Sequence, residues 1–406
     1  MGCGVSKPKN SKKDNQKQEK KPKNKKRVIR ISIGIFIVLL IIAAMLLYTK
    51  NDTFKGFCDR YIFKKEVYEN NLPTIQIDSI DSSHIYAYNG SIIILDQNSL
   101  KSYNKLGYEE YSLDVEAANP IFASDGNYLC IADKNSKKIY LISGRNIVWQ
   151  KDMDGNILNA CVNKNGYVAV ATTDTSHKSV ITTYDNNGAE LFKTYISTSS
   201  VIAISISDDN KYLALAEADF SGITPGADIK IISVQDASTS NDAASTTKYT
   251  YTAKPGDLII NIKYNSKNDL ICMYDSHIDS ISNNQNTELS NFKDDDTLFA
   301  DINLDANIIK VVKKSTGLFS AKSELDIISS INAESKEITY EADDVPKAVD
   351  TYNNMIYLNF GTEVLFINTS GWLVKDYKSS QEVQDIVLSD SIAGIVYKER
   401  IEIVSF

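Results

Sequence analysis

Histidine and tryptophan are scarce in this chain, with three and two copies among 406 residues. His84, His177 and His277 lie far apart, and none has a second His or a Cys at ligand spacing, so the pattern of a zinc or iron site is missing. Acyl-transfer chemistry lacks a supported general base, and no Gly-x-Ser-x-Gly turn supplies a nucleophile; "FSGITPG" (220–226) is a Gly/Pro-bearing loop. The P-loop and Gly-x-Gly-x-x-Gly phosphate cradles are missing as well. Cys3, Cys58, Cys130, Cys161 and Cys272 form no Cys-x-x-Cys, which argues against a metal knuckle or a disulfide framework. Cys130, Cys161 and Cys272 fall inside apolar strand patterns and are expected to be small buried hydrophobes. These gaps leave no cofactor, no metal and no catalytic residue to expect.

Charge is missing from one stretch altogether. "ISIGIFIVLLIIAAMLLY" (31–48) has no ionisable acid or base, and its length of about 27 Å as a helix matches the hydrocarbon core of a bilayer. The segment before it is the opposite: ten lysines and two arginines between Lys7 and Arg30 face only Asp14 and Glu19, about +10. With the whole chain at −8, the remainder carries about −18. This asymmetry predicts an uncleaved anchor with a cytoplasmic N-terminus and everything after it outside. Residues 1–30 read as a disordered basic tail drawn to anionic lipid headgroups, 31–48 as a transmembrane helix, and 49–72 as a stalk. Juxtamembrane position favours lipid over nucleic acid as the partner of the basic run. "MGCGVS" matches an N-myristoylation pattern, with Cys3 placed for a second acyl chain, but a spanning helix makes such an anchor unnecessary. In the stalk, Phe54, Phe57, Tyr61 and Tyr68 have roughly the spacing of a short amphipathic helix.

Helical periodicity is then almost absent from Pro73 to the C-terminus. A unit of strand, polar turn, strand, strand, turn and strand recurs instead. Its first turns align in "IFASDGNYLCIAD" (121–133), "ACVNKNGYVAVAT" (160–172), "ISISDDNKYLALAE" (204–217), "IKYNSKNDLICMY" (262–274), "DINLDANIIKVV" (301–312), "AVDTYNNMIYLNF" (348–360) and "DIVLSDSIAGIVY" (385–397). Second turns recur in "YNKLG" (103–107), "YDNNG" (184–188) and "INTSG" (367–371), where Asn, Asp and Gly supply turn chemistry. Units begin near residues 83, 118, 156, 201, 258, 297, 345 and 382, a period of about 43, the repeat length of β-propeller blades. The last unit holds three strands, and the orphan strand "TIQIDSI" (74–80) can supply its missing outer strand and close the ring. The fold expected over 73–406 is therefore an all-β propeller of eight four-stranded blades, preceded by one transmembrane helix. Seven blades is the alternative, should the weakly patterned fifth or sixth unit be misread.

"YNKLG", "YDNNG" and "ISGRNIVW" (142–149) resemble the hairpins of quinoprotein-type, alcohol-dehydrogenase-like propellers, whose repeats end in a Thr-Gly-x-x-x-Trp-like stretch. The match is partial: Gly144 lies five residues from Trp149, Gly371 directly precedes Trp372, and most blades lack the Trp. Such a dehydrogenase would hold calcium and a cofactor among Arg, Asn, Glu and stacked Trp, which two tryptophans do not supply. The layout of basic tail, span, stalk and propeller resembles membrane-anchored propeller proteins of Gram-positive bacteria, a likeness that carries no functional residue across.

Two acidic stretches were weighed for calcium. "DMDGN" (152–156) begins like a calcium loop but lacks the later acidic ligand, and "DDD" (294–296) occupies a corresponding connection between units; both read as solvated turns. The fourth unit carries two insertions, "DFSGITPGAD" (219–228) and "QDASTSNDAASTT" (235–247), on opposite faces of a propeller; the second reads as a flexible surface loop. The sequence thus points to a non-enzymatic protein-binding or scaffolding module of the cell envelope, tethered to the membrane, with a protein partner outside it. The alternative is a ligand sensor or enzyme using the central channel, where the strand-start residues Asp301, Lys347 and Asp385 would set polar groups at the rim.

Overall fold

The computed structural model describes residues 25–51, 54–55, 58–78, 81–96, 98–240, 246–292, 296–315, 321–331, 337–389 and 391–406, with Gly2 and Gly4. The acylation pattern, most of the basic tail, and Asp294 and Asp295 lie outside the described residues. The chain divides into two compact units, 1–64 and 65–406.

In the first unit the apolar run is helical and extends past both ends of 31–48: one helix covers Lys25–Lys50. Its stretch Ile29–Lys50 is long and apolar enough to cross a bilayer, and none of it is buried. Beyond it, Tyr48 donates to Asp59 Oδ1 at 2.6 Å and ties down Cys58–Ile62, a single π-helical turn. Of the residues expected in a stalk helix, Phe54 is helical, Tyr61 lies in the π-helical turn, Phe57 falls outside the described residues, and Tyr68 lies in a strand of the second unit.

The second unit is an eight-bladed β-propeller. Blades 1 to 8 occupy 85–114, 120–152, 157–196, 200–252, 259–291, 297–342, 348–378 and 385–405, each an antiparallel meander counted outward from the axis of the ring. These blades start within three residues of the positions read from the repeat. The second strands are continuous apolar runs, such as Ser91–Asp96 (SIIILD) and Val168–Thr172 (VAVAT), because both of their faces are buried. Period-two alternation sends successive residues to opposite neighbours. Val168 and Val170 pack toward blade 2, while Ala169 and Ala171 pack toward blade 4. Likewise Ile92 and Ile94 meet blade 8, and Ile93 and Leu95 meet blade 2. One apolar cluster fills each of the eight seams between blades. The seam between blades 5 and 6 is the thinnest, built on Ile271, Ile278, Ile302 and Ile308.

Turns repeat one local device. In the second turns, Asn104, Asp185 and Asn368 each accept through Oδ1 the N–H groups two and four residues on, and Gly107, Gly188 and Gly371 take the positive φ that closes the turn. Asn163 and Asn265 do the same in first turns, and their Nδ2 groups also donate to carbonyls of the next blade, Ser207 at 2.8 Å and Ser330 at 3.3 Å. Of the two insertions in blade 4, the one expected to be a flexible loop begins as a short helix, Val234–Thr239, which buries Val234 and Ala237.

Ring closure uses the chain's beginning. Thr74–Gln76 pairs antiparallel with Arg400–Ser405 and completes blade 8 as its outer strand. A second, unforeseen strand precedes it: Glu66–Tyr68 adds in parallel to Leu373–Lys378, a fifth strand on blade 7. The residues between these two strands are held by a buried polar knot. Glu402, wholly buried, accepts from Tyr377 Oη at 3.0 Å, Arg400 Nε at 2.9 Å and the Asn70 N–H at 3.1 Å. Glu69 accepts from Ser379 Oγ at 2.8 Å and Arg400 stacks on Tyr397 at 4.2 Å. Removing the carboxylate strands three donors in a dry site. Glu402→Ala is expected to lower unfolding stability by about 3 kcal/mol or more, read as a shift of the denaturant midpoint, with Glu402→Gln recovering part of the loss.

Candidate functional site

The innermost strand of each blade pairs on one side only, because its other edge faces the axis. Its inward N–H groups need acceptors that no strand provides. Four blades place an Asx side chain there. Asn159 accepts the N–H of Ala160 at 2.8 Å, Asn261 that of Ile262 at 2.9 Å, Asp350 that of Thr351 at 2.7 Å, and Asp385 that of Ile386 at 2.8 Å. This backbone requirement is what brings carboxylates into a confined space.

That space is a channel of about 620 Å³ along the axis, walled by residues from all eight blades. One side is aromatic: Tyr86 and Phe122 stack with centroids 5.0 Å apart, and Tyr86 Oη shares a 2.9 Å hydrogen bond with Ser124 Oγ. Another part of the wall is acidic, and it adjoins the aromatic pair where blade 8 meets blade 1. Asp301, Asp350 and Asp385 sit on the innermost strands of blades 6, 7 and 8. Burial, then the charges of Asp301 and Asp385, push the Asp350 carboxyl up to about 7. Burial also raises Asp301, against hydrogen bonds from the Asn303 N–H and from Thr351 Oγ1 at 2.8 Å. At the end of the innermost strand of blade 2, burial and the neighbouring Asp208 charge push Asp125 up to about 6. Lys263 also lines the channel, with Nζ donating to the Asn303 carbonyl at 2.6 Å.

The structure brings together two of the three residues named from the sequence. Asp385 lines the channel, and Asp301 bonds the channel-lining Thr351. Lys347 is elsewhere: it is exposed, and its Nζ pairs with Glu382 at 2.5 Å. Asp350, which lies between the two aspartates, was not anticipated. It occupies the third position of Ala348–Tyr352, not a strand start, and the signal for it is an Asx before an inward-facing N–H, shared with Asn159 and Asn261.

The histidines and the "DMDGN" turn lie apart from the channel. His84 Nδ1 meets Ser83 Oγ at 3.2 Å, and His177 Nδ1 meets Asp174 at 2.9 Å beside the Tyr195 ring. His277 opens the strand His277–Ser282 and is buried, stacked on Tyr274 with Nδ1 2.9 Å from Ser276 Oγ. Over "DMDGN", the ammonium of Lys193 lies 3.0 Å from Asp154 and Lys137 donates to the Asp154 carbonyl at 2.9 Å, so two cations already crowd that turn. Cys130 and Cys272 are buried as expected, whereas Cys161 is only half-buried and lines the channel; burial raises each thiol, Cys161 to about 12.

A closed ring of eight sheets, seven of four strands and one of five, around a polar channel defines the protein as a β-propeller. The chain belongs to a family of unknown function, DUF5711, whose model matches residues 64–406. No curated protein matches it in sequence. Among solved structures it is similar to BamB from Moraxella catarrhalis, at 13% identity and a TM-score of 0.48, over 82% of this chain and 98% of that one. It is also similar to the hydrazine synthase of Kuenenia stuttgartiensis, at 11% identity and a TM-score of 0.42, over 83% and 97% of the two chains. The β-propeller domain of Cps50 (Swd1) from Myceliophteria thermophila matches at 11% identity and a TM-score of 0.43, over 82% and 99%. Likeness at this level carries neither a residue nor an activity across.

The raised carboxyls give the ring a pH dependence of known sign. Between the ordinary carboxyl value of the unfolded chain and about 7, the folded state holds the Asp350 proton that the unfolded state has lost, so stability falls as pH rises through that window. Asp350→Asn keeps the acceptor for Thr351 and removes the charge. Thermal melts are expected to show it matching the parent near pH 4 and exceeding it at pH 8, by on the order of 1–3 kcal/mol.

Proposed function

We propose that the protein is a non-enzymatic binding or scaffolding module, held at the outer surface of the cytoplasmic membrane by its N-terminal helix, in an envelope of the Gram-positive layout. In this reading 1–30 is a cytoplasmic tail on anionic lipid, 31–48 the span, 49–72 the stalk, and 73–406 the extracytoplasmic ring with a protein partner. The observation that carries it is a helix of bilayer length on the same chain as a ring whose strand interiors are committed to packing between blades. A ring packed through every seam holds its loops rigidly, which reduces the ordering cost of meeting a partner. Its acidic balance disfavours polyanions such as nucleic acid.

A second reading is favoured by the channel: a small ligand, sensed or transformed there, would meet Asp350 and Asp385, with Asp301 behind Thr351, on a wall shared with Tyr86 and Phe122. Thermal-shift screening of the full chain against small metabolites and calcium separates the two. A channel ligand at 100 times its Kd raises stability by about 2.7 kcal/mol, whereas a pure scaffold gives no shift.

Crosslinking in intact cells followed by mass spectrometry is expected to recover envelope proteins repeatedly, and failure to recover any overturns the scaffold reading. Protease added to whole cells is expected to remove the ring; full protection reverses the orientation.

A further inference from the structure

Blades 3, 4, 5 and 6 interrupt the pairing of their first and second strands at the same point. The breaks fall between Ile157 and Asn159, Val201 and Ala203, Ile259 and Asn261, and Thr297 and Phe299. Blades 1, 2, 7 and 8 pair there without a break. The extra residue is aliphatic every time: Leu158, Ile202, Ile260 and Leu298. A bulge re-aims its side chain. Leu158 and Ile202 lean on the neighbouring seams, but Ile260 and Leu298 remain 50% and 39% exposed. Half the ring therefore opens onto one face through a crescent of aliphatic residues.

A meander puts the start of its first strand and the connection between its second and third strands at the same end. The first insertion of blade 4, 219–228, joins those two strands, so it rises from the face that bears the crescent. Tyr212–Asp219 and Gly226–Ser233 extend as a long hairpin, with Phe220 58% exposed and Ile223 fully exposed at its tip. Thr224 of this tip lies 3.9 Å from the position a Cβ on Gly256 would take, in the connection leading to Ile260.

The same patch is acidic. Asp257 is only 7% exposed; its Oδ1 accepts from Ser276 Oγ at 3.2 Å, and its Oδ2 has no hydrogen-bond partner among the described residues. Asp219 and Asp275 are exposed on either side, with no lysine or arginine in ion-pair contact among the described residues. A buried carboxylate with a vacant oxygen is costly unless a donor reaches it.

We propose that this face of blades 4 to 6 docks a protein segment that presents aliphatic or aromatic anchors beside a lysine or arginine. The anchors cover Ile223, Ile260 and Leu298, and the cation meets Asp257 and its exposed neighbours. The proposal rests on the protein-binding reading above and deepens it. A bilayer fits poorly, because anionic headgroups would oppose the same carboxylates. So does a second copy seated by two-fold symmetry, which would set these carboxylates against one another.

The test uses the full chain in nanodiscs and two synthetic amphipathic peptides of matched length, one of Leu and Lys, the other of Leu and Glu. Fluorescence anisotropy is expected to give the Leu/Lys peptide at least tenfold tighter binding. The double variant Ile223→Ser, Ile260→Ser should weaken it at least tenfold with the melting midpoint unchanged, and Asp257→Asn should shrink the preference over Leu/Glu. Equal binding of the two peptides, or binding indifferent to the double variant, overturns the proposal. A photo-crosslinking residue at position 223 reports the occupant in cells: adducts with Lys- or Arg-bearing segments of other proteins support it, whereas lipid adducts or self-adducts overturn it. If the double variant keeps every partner crosslink, the face is wrong and the scaffold reading stands; if the parent chain captures no protein from any position, the scaffold reading itself fails.

Discussion

A β-sheet that is apolar on both faces cannot exist alone in water. Each blade of this protein is such a sheet: Ile92 and Ile93, Val168 and Ala169, Leu213 and Ala214 are neighbours in sequence that need cover on opposite sides. Stacking supplies the cover for six blades out of eight, but a linear stack leaves two outer faces wet. Closing the stack into a ring is the solution that wets neither. The chain's two ends must then meet, and everything near residues 66–76 serves that meeting. The outer strand of blade 8, the extra strand on blade 7 and the buried Glu402 knot all lie where the first blade abuts the last.

The channel follows from the same constraint. A ring of eight sheets has eight inner edges, and an edge strand exposes N–H groups that must be satisfied by side chains or water. Asn159, Asn261, Asp350 and Asp385 meet that need. Where two blades in succession use Asp instead of Asn, and Asp301 adds a third, their charges and their burial keep Asp350 partly protonated near neutrality. The acidity of the axis thus follows from capping backbone edges with carboxylates.

Seams differ in strength. Blades 3, 4 and 5 are joined by large aliphatic clusters, whereas between blades 5 and 6 four isoleucines form the core and the buried Lys310 lies 3.7 Å from Asp326. Burial pushes Asp326 up to about 6, which weakens its pairing at mildly acidic pH. The bulged inner strands and the long hairpin cluster around this less apolar side of the ring, so the surface richest in unpaired features borders the thinnest seam.

The repeat, and with it the fold, was legible because each blade spends its residues the same way. Apolar runs of five or six residues, Asx-Gly turns and a period near forty survive in the sequence since every blade solves one packing problem. The orphan strand at 74–80 was legible for the same reason: a three-stranded last unit leaves an edge to fill. What stayed hidden has no period. Glu66–Tyr68 is three residues long, too short for alternation to show, and its pairing is decided by the edge of blade 7, more than three hundred residues away. Asp350 looked like any polar residue within a strand until three blades set Asp301 and Asp385 beside it. Lys347 looked like a rim residue, and only the neighbouring connection, with Glu382, drew it aside. Local patterns determine which segments are strands and how many sheets they form; which side chains share a site depends on the curvature of the ring, and that exists only once the last blade has met the first.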